Sequence, residues 1–221
     1  MVGSREAMIR AGERLFGERG IEGVSLREVA AAAGQGNTSA VRYHFGSKDG
    51  LVAAIFSYRM ALIDERRSAL LADLELERGG QPLDVGLLVE AVVFPLAESI
   101  GHDDGVSWYA RFIGQAAFRP GFDLFAAAPE AHTRALRSVV EALDAQLSYL
   151  PEAVRRYRVM LACKLIVQAL ADHEAFLAQG RAQMPKSLLV TQLVDAAVAV
   201  LEAPVSEATK RQVRRLRKLG A

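Results

Sequence analysis

The chain has 221 residues, 51% of them hydrophobic, enough to bury a sizeable core in one large or two ordinary domains. A formal net charge of +1 excludes a strongly basic coat, and the single cysteine, Cys163, excludes an intrachain disulfide or a Cys-x-x-Cys zinc pair. Alanine and leucine dominate, β-branched alternation is nearly absent and seven prolines punctuate long helical patterns, so the expected fold class is all-α.

In chain order, a first helix is expected over Ser4 to Arg19, with Met8, Ile9, Ala11, Leu15 and Phe16 as its core stripe. Ser25 and Glu28 then form an S-x-x-E capping box, and Leu26, Val29, Ala30 and Ala33 follow at the i, i+3, i+4, i+7 spacing of an apolar helix face. Gly34 and Gly36 supply a reversal, and Asn37 or Thr38 can cap the next helix. On that helix Ala40, Val41, His44 and Phe45 are expected to face inward, leaving Thr38, Ser39, Arg42 and Tyr43 outward. Two short helices joined by a glycine turn are the build of a helix-turn-helix DNA reader. An outward arginine can bond guanine O6 and N7 together, and hydroxyls can meet bases or phosphates. Ser47 caps a long helix, and Lys48 in its first turn can hold a phosphate. The expected DNA-contacting set is Asn37, Thr38, Ser39, Arg42, Tyr43, His44 and Lys48.

Taken together, MIRAGERLFGERG, Ser25, EVAAAAG and YHFGSKDGL resemble the N-terminal domain of the tetracycline-repressor (TetR) family of bacterial transcriptional regulators. The resemblance spans Met8 to Leu51, with one residue more between Gly34 and Phe45 than the usual pattern. It implies that Tyr43, His44 and Lys48 contact the DNA backbone, that the rest of the chain binds a small organic effector, and that the protein is a homodimer on palindromic operator DNA.

The long helix from Ser47 should run to about Glu77, with Leu51, Ile55, Tyr58 and Leu62 as its inner stripe, and Asp84 should cap a helix containing Pro95. Further helices are expected at Asp104 to Phe118, Pro129 to Tyr149, Pro151 to Gln179 and Pro185 to Leu201, and a short basic helix from Ser206. The expected domains are 1–50 for DNA binding, 51–205 for ligand binding and dimerisation, and 206–221 as a basic tail. Phe94, Trp108, Arg111, Phe112 and Gln115 form the expected effector site, where aromatic walls meet a few polar anchors and Arg111 faces an anionic end. Val154, Leu161, Leu165, Ala169 and Phe176, with Leu189, Leu193, Ala196, Ala197 and Val200, offer stripes that serve either as intrachain core or as a four-helix dimer seam.

Charge is unevenly placed: residues 1–50 carry a net +1, residues 51–204 a net −5 and residues 205–221 a net +5. The basic tail reads either as a second phosphate contact or as solvated charge on a terminal helix. No nucleophile elbow, H-E-x-x-H or phosphate loop is present, so no catalytic residue, cofactor or metal is expected. The His102, Asp103, Asp104 and the Asp172, His173, Glu174 runs are neighbours in sequence that point in different directions on a helix. Charges at Arg5, Glu6 and Arg10 leave no secretory h-region, and Leu188 to Leu201 is too short to span a membrane, so a cytoplasmic, ligand-responsive repressor is expected. The alternative from another class is a small-molecule-binding or protein-interaction helical protein whose DNA head no longer binds specifically.

Overall fold

The computed structural model describes residues 3–100, 107–181 and 184–218. Among them there is no strand, and the helices follow in the order α1 (Ser4–Arg19), α2 (Leu26–Ala32), α3 (Ser39–Phe45), α4 (Lys48–Glu77), α5 (Val85–Glu98), α6 (Tyr109–Ala116), α7 (Arg134–Gln146), α8 (Glu152–Ala178), α9 (Lys186–Glu202) and α10 (Glu207–Lys218). No single helix among these residues is long and apolar enough to cross a membrane.

Helices α1 to α3 and the start of α4 close a small N-terminal core. Met8, Ile9, Phe16, Val29, Val41, Leu51 and Ile55 are all withdrawn from solvent there, each contributing about 1.5 to 3 kcal/mol of burial for the larger side chains. Helix α4 is about 45 Å long and carries the chain from this core into the body. Its buried side runs through Val52, Phe56, Met60 and Ile63 as well as Leu51 and Ile55, whereas Leu62, expected on the inner stripe, is 55% exposed. Eleven residues make almost three whole turns, so Leu62 stays beside Leu51 on the helix surface, while beyond Ile55 the packed side shifts to Phe56, Met60 and Ile63.

Two expected helices are shorter than their sequence pattern. Helix α6 begins at Tyr109; the expected start at Asp104, and the run His102, Asp103 and Asp104, lie outside the described residues. The stretch after Pro129 makes a 3-10 turn over Glu130–His132, and α7 begins only at Arg134. The break has a visible cause in a buried polar node on α4. Asp64 accepts from the free amides of Ala135 and Leu136, both at 2.9 Å, so the first turn of α7 is aimed into the core. Asp64 also pairs with Arg67 at 2.6 Å, and both side chains are almost fully buried. Arg67 Nε donates to the Ala91 carbonyl at 3.0 Å. That carbonyl would ordinarily be satisfied by the amide four residues on, but residue 95 is proline and has none. One ion pair thereby serves two helix defects, in α5 and in α7.

The N-terminal core is seated on α6 as well as on α4. A Cβ added at Gly17 would lie 2.8 Å from the Trp108 carbonyl oxygen and one at Gly12 would lie 3.0 Å from Ile55, so both glycines let α1 approach closely. Phe16 stacks on Phe112 with centroids 6.4 Å apart, and Glu13 takes two bonds of 2.6 Å from Arg59. Arg119, beyond α6, reaches Glu22 at 2.7 Å and Asp49 at 3.3 Å. In the body α8 packs on α6 and α9, and α9 on α5. Leu193 and Ala197 are buried within the chain, so that part of the expected seam is intrachain core, while Tyr157, Leu161 and Leu165 of α8 stay exposed.

Candidate nucleic-acid interface

The reading surface is built from its caps outward. Ser25 accepts from the Glu28 amide at 3.3 Å and donates its own amide to the Glu28 carboxylate at 2.8 Å, completing the capping box. Arg19 of α1 bonds the same carboxylate at 2.6 Å and ties the start of α2 to the end of α1. The Ser25 amide, the Ser25 hydroxyl and Arg19, in that order, hold the Glu28 carboxyl down at about 2. A depressed carboxylate stabilises the fold above its unfolded value of 4.5 and ceases to do so as pH falls toward about 2. Thermal melts of Glu28→Gln and the parent chain should therefore differ at neutral pH and converge across that acid window. A difference that stays constant with pH would exclude a charge-dependent cap.

The turn follows from Gly34, at φ +70°, which lets the Gln35 amide reach back to the Ala30 carbonyl at 2.8 Å. Gly36 has no positive φ, so one glycine of the two carries the reversal. Asn37 Oδ1 accepts from the Ser39 amide at 2.9 Å and so organises the start of α3. Val41 and Phe45 point into the core, as expected; Ser39, Arg42 and Tyr43 point out, Tyr43 being 86% exposed. Thr38 is half-buried, at the edge of that surface. His44 is corrected from the inner to the outer side: it is exposed, its ring edge-on to Tyr43 at 5.2 Å. Seven residues make barely two turns, and the inner face of so short a helix is filled by one residue per turn.

Past α3, Gly46 at φ +71° reverses the chain, and the Ser47 hydroxyl accepts from the Gly50 amide at 3.0 Å. A Cβ at Gly50 would collide with the Phe45 carbonyl oxygen, which makes this glycine the contact point between the end of α3 and the start of α4. Gly50→Ala is expected to displace α3 and lower duplex affinity by at least tenfold, a loss of about 1.4 kcal/mol or more in binding. Unchanged affinity by fluorescence anisotropy would show that α3 tolerates the shift. Lys48 has a structural task that sequence reasoning missed: its ammonium bonds the Ile21 and Glu22 carbonyls at 3.0 and 3.4 Å. It also lies 4.0 Å from the Glu22 carboxylate, so a phosphate would compete with Glu22 for its third donor.

Ser39, Arg42, Tyr43 and His44 thus share one exposed face, with Asn37 at its leading end and Lys48 behind it. Among the described residues Arg42 and Tyr43 make no side-chain hydrogen bond, so their donors stand ready for an external acceptor. A short, donor-bearing helix held by two caps and two glycine reversals matches the dimensions of a major groove.

The five residues expected to hold an effector have other partners. Phe112 is fully buried against Phe16, and Gln115 Oε1 accepts from the Ile21 amide at 3.2 Å, which places both in the seam between α6 and the N-terminal core. Arg111 is spent on Glu174 at 3.1 Å and on the Ser107 carbonyl at 3.0 Å, with its guanidinium 3.9 Å over the Trp108 ring. Phe94 lies on α5, 37% exposed, apart from these contacts. Of the five, Trp108 alone borders a groove of about 580 Å³ that runs between α1, α4 and Ser99, past Arg10, Glu13, Tyr58, Arg59 and Leu62. The signal for the seam was present in sequence as Gly12 and Gly17, since an interior helix glycine costs about 1 kcal/mol against alanine and usually marks a close approach. His173 is buried on α8, and its neighbours in sequence are dispersed as expected, Glu174 to Arg111 and Asp172 to Gln168.

Residues 8–55 match the family model of bacterial regulatory proteins of the tetR family. That segment is a TetR-family N-terminal domain. The match covers α1, the helix-turn-helix and the first turns of α4, the same elements whose caps and reversals are described above. The matched segment is therefore a domain of the kind found in bacterial regulatory proteins. A solved structure assigned to tetR family transcription regulators, from Shewanella sp. PV-4, is 18% identical, with 88% of this chain and 98% of that chain covered and a TM-score of 0.55, and shares the fold. Two further structures, from Mesorhizobium loti MAFF303099 and Rhodococcus sp., are 16% and 17% identical, each covering 90% of this chain and 95% and 98% of their own, with TM-scores of 0.46 and 0.42. None of the curated proteins matches the chain.

Proposed function

We propose that the chain is a cytoplasmic repressor that binds palindromic operator DNA as a homodimer through α3 and is released by a small organic effector. The observation that carries the DNA half of this reading is the exposed, uncommitted pair Arg42 and Tyr43 on a helix fixed at both ends. Arg42 reads a base edge, while Tyr43, His44 and Lys48 hold the backbone and fix register. Duplicating the head across a two-fold axis compensates for a net charge of only +1 in residues 1–50. The effector half is supported by the groove beside Trp108, because its walls belong to α1 and α2 as well as to α4. A molecule seated there touches the reading head directly and can favour a DNA-free geometry.

Arg42→Ala should cost about 1 to 3 kcal/mol on a selected genomic fragment and relax preference at one base position. Tyr43→Ala should weaken all duplexes alike. The measurement is fluorescence anisotropy on the fragment and on single-base variants. Unchanged affinity in both proteins would remove α3 as the reading surface.

A further inference from the structure

The last helix starts at the end of α8 that lies away from the reading head. The head meets the body where Gly17 touches Trp108, and Glu174 near the end of α8 bonds Arg111 at that same level. Sixteen residues earlier on α8, about 24 Å away, Arg158 bonds the carbonyls of Leu201 and Pro204 at 3.1 and 3.5 Å. Those two residues close α9, and α10 leaves from there with a bend of 58°. Gln146 bonds the Leu83 carbonyl at 3.1 Å at this end too, beyond the far end of α4. The start of α10 is therefore separated from the seam under the reading head by about 24 Å of α8.

α10 is strongly polar on one side. Lys210, Arg211, Arg214 and Arg215 are exposed within 12 residues, Arg217 and Lys218 follow in sequence, and Glu207 is the only acid. Among the described residues Glu207 partners Lys210 at 2.8 Å and Arg214 at 3.8 Å, leaving the charge of the helix largely uncompensated. Among the described residues its large apolar side chains are Val213 and Leu216, a small anchor for a bilayer. Arginine forks, by contrast, suit phosphate oxygens. A helix about 18 Å long passes roughly five phosphates of one strand at about 3.4 Å each. A protein already held on DNA also meets neighbouring segments of duplex at high effective concentration.

We propose that α10 is a second, sequence-blind DNA contact that grips the phosphates of a duplex segment other than the one read by α3. The inference rests on the reading of α3 as a DNA contact for its first segment, and it makes the regulator a bridge between two stretches of DNA.

The test uses three full-length proteins: the parent, a variant with Lys210, Arg211, Arg214 and Arg215 all changed to glutamine, and a head variant carrying Arg42→Ala and Tyr43→Ala. The probes are random-sequence duplexes in two colours and vesicles of phosphatidylglycerol and phosphatidylcholine in equal parts. The parent should bring the two colours together. The glutamine variant should still bind one duplex but join none, and the slope of log affinity against log salt should fall by about 3 to 4, near 0.9 for each lost phosphate contact. The head variant should keep the α10-dependent binding. The proposal is overturned if the parent joins no duplexes, if the glutamine variant joins them equally well, or if the four changes abolish vesicle binding and leave bridging intact. It is also overturned if they alter sedimentation without DNA, since the occupant of α10 would then be a second copy of this chain. Loss of all duplex binding in the head variant alone upholds α3 and rejects α10; loss in the glutamine variant alone does the reverse.

Discussion

Arg67→Met is expected to destabilise the chain by about 3 to 5 kcal/mol, the cost typical of breaking a buried pair from one side. Methionine has nearly the volume of the arginine stem, so the loss is electrostatic and not a cavity. Asp64 would keep its two bonds to α7 but lose its counter-charge, and the Ala91 carbonyl above Pro95 would have no donor. For a chain of this size the midpoint of thermal unfolding should fall by about 6 to 20 °C. Asp64→Leu with Arg67→Met removes both charges and should recover part of that loss, but not all, because one carbonyl and two amides remain unpartnered. A single variant within about 1 kcal/mol of the parent would mean that water or a local shift satisfies the Ala91 carbonyl and the Asp64 carboxylate.

In sequence, Asp64 and Arg67 are two of several charged residues on α4. Nothing local distinguishes them. Their role depends on Pro95 and on the start of α7, which lie 24 or more residues away, so it becomes visible only when α4, α5 and α7 are packed together. The reading head is the opposite case. The Ser25 and Glu28 box, the positive φ of Gly34, the Asn37 cap and the Ser47 cap are all interactions within about five residues, and the expected boundaries of α1, α2 and α4 agree with the structure for that reason. His44 and Leu62 were misplaced because a periodicity gives a face and not its width. The aromatic cluster around Trp108 to Phe112 was legible as apolar, but sequence could not show that its partner is Phe16 and not a ligand.

The second large effect concerns assembly. In the proposed dimer Leu165→Glu should yield monomers, since Tyr157, Leu161 and Leu165 line the exposed side of a 27-residue helix and a charge there has no opposite charge among them. Leu193→Asp is not an equivalent test, because Leu193 is buried within its own chain and its replacement would unfold the protein. Two heads on one dimer bind half-sites at high effective concentration, so the monomer should lose about 10² to 10⁴ in affinity for a palindromic fragment while a single half-site is bound as before. Sedimentation velocity beside anisotropy separates the outcomes. A folded dimer that survives Leu165→Glu would place the seam on another face.

The central claim is that α3 reads sequence. It is tested most directly by recovering fragments of the source genome that the full-length protein retains, and then measuring affinity for one fragment and for a scrambled duplex of equal length at the same near-physiological salt. The account predicts a preference for the recovered fragment of about 10³ or greater that collapses in Arg42→Ala. Equal affinity for the two duplexes, falling together as salt rises, would contradict it.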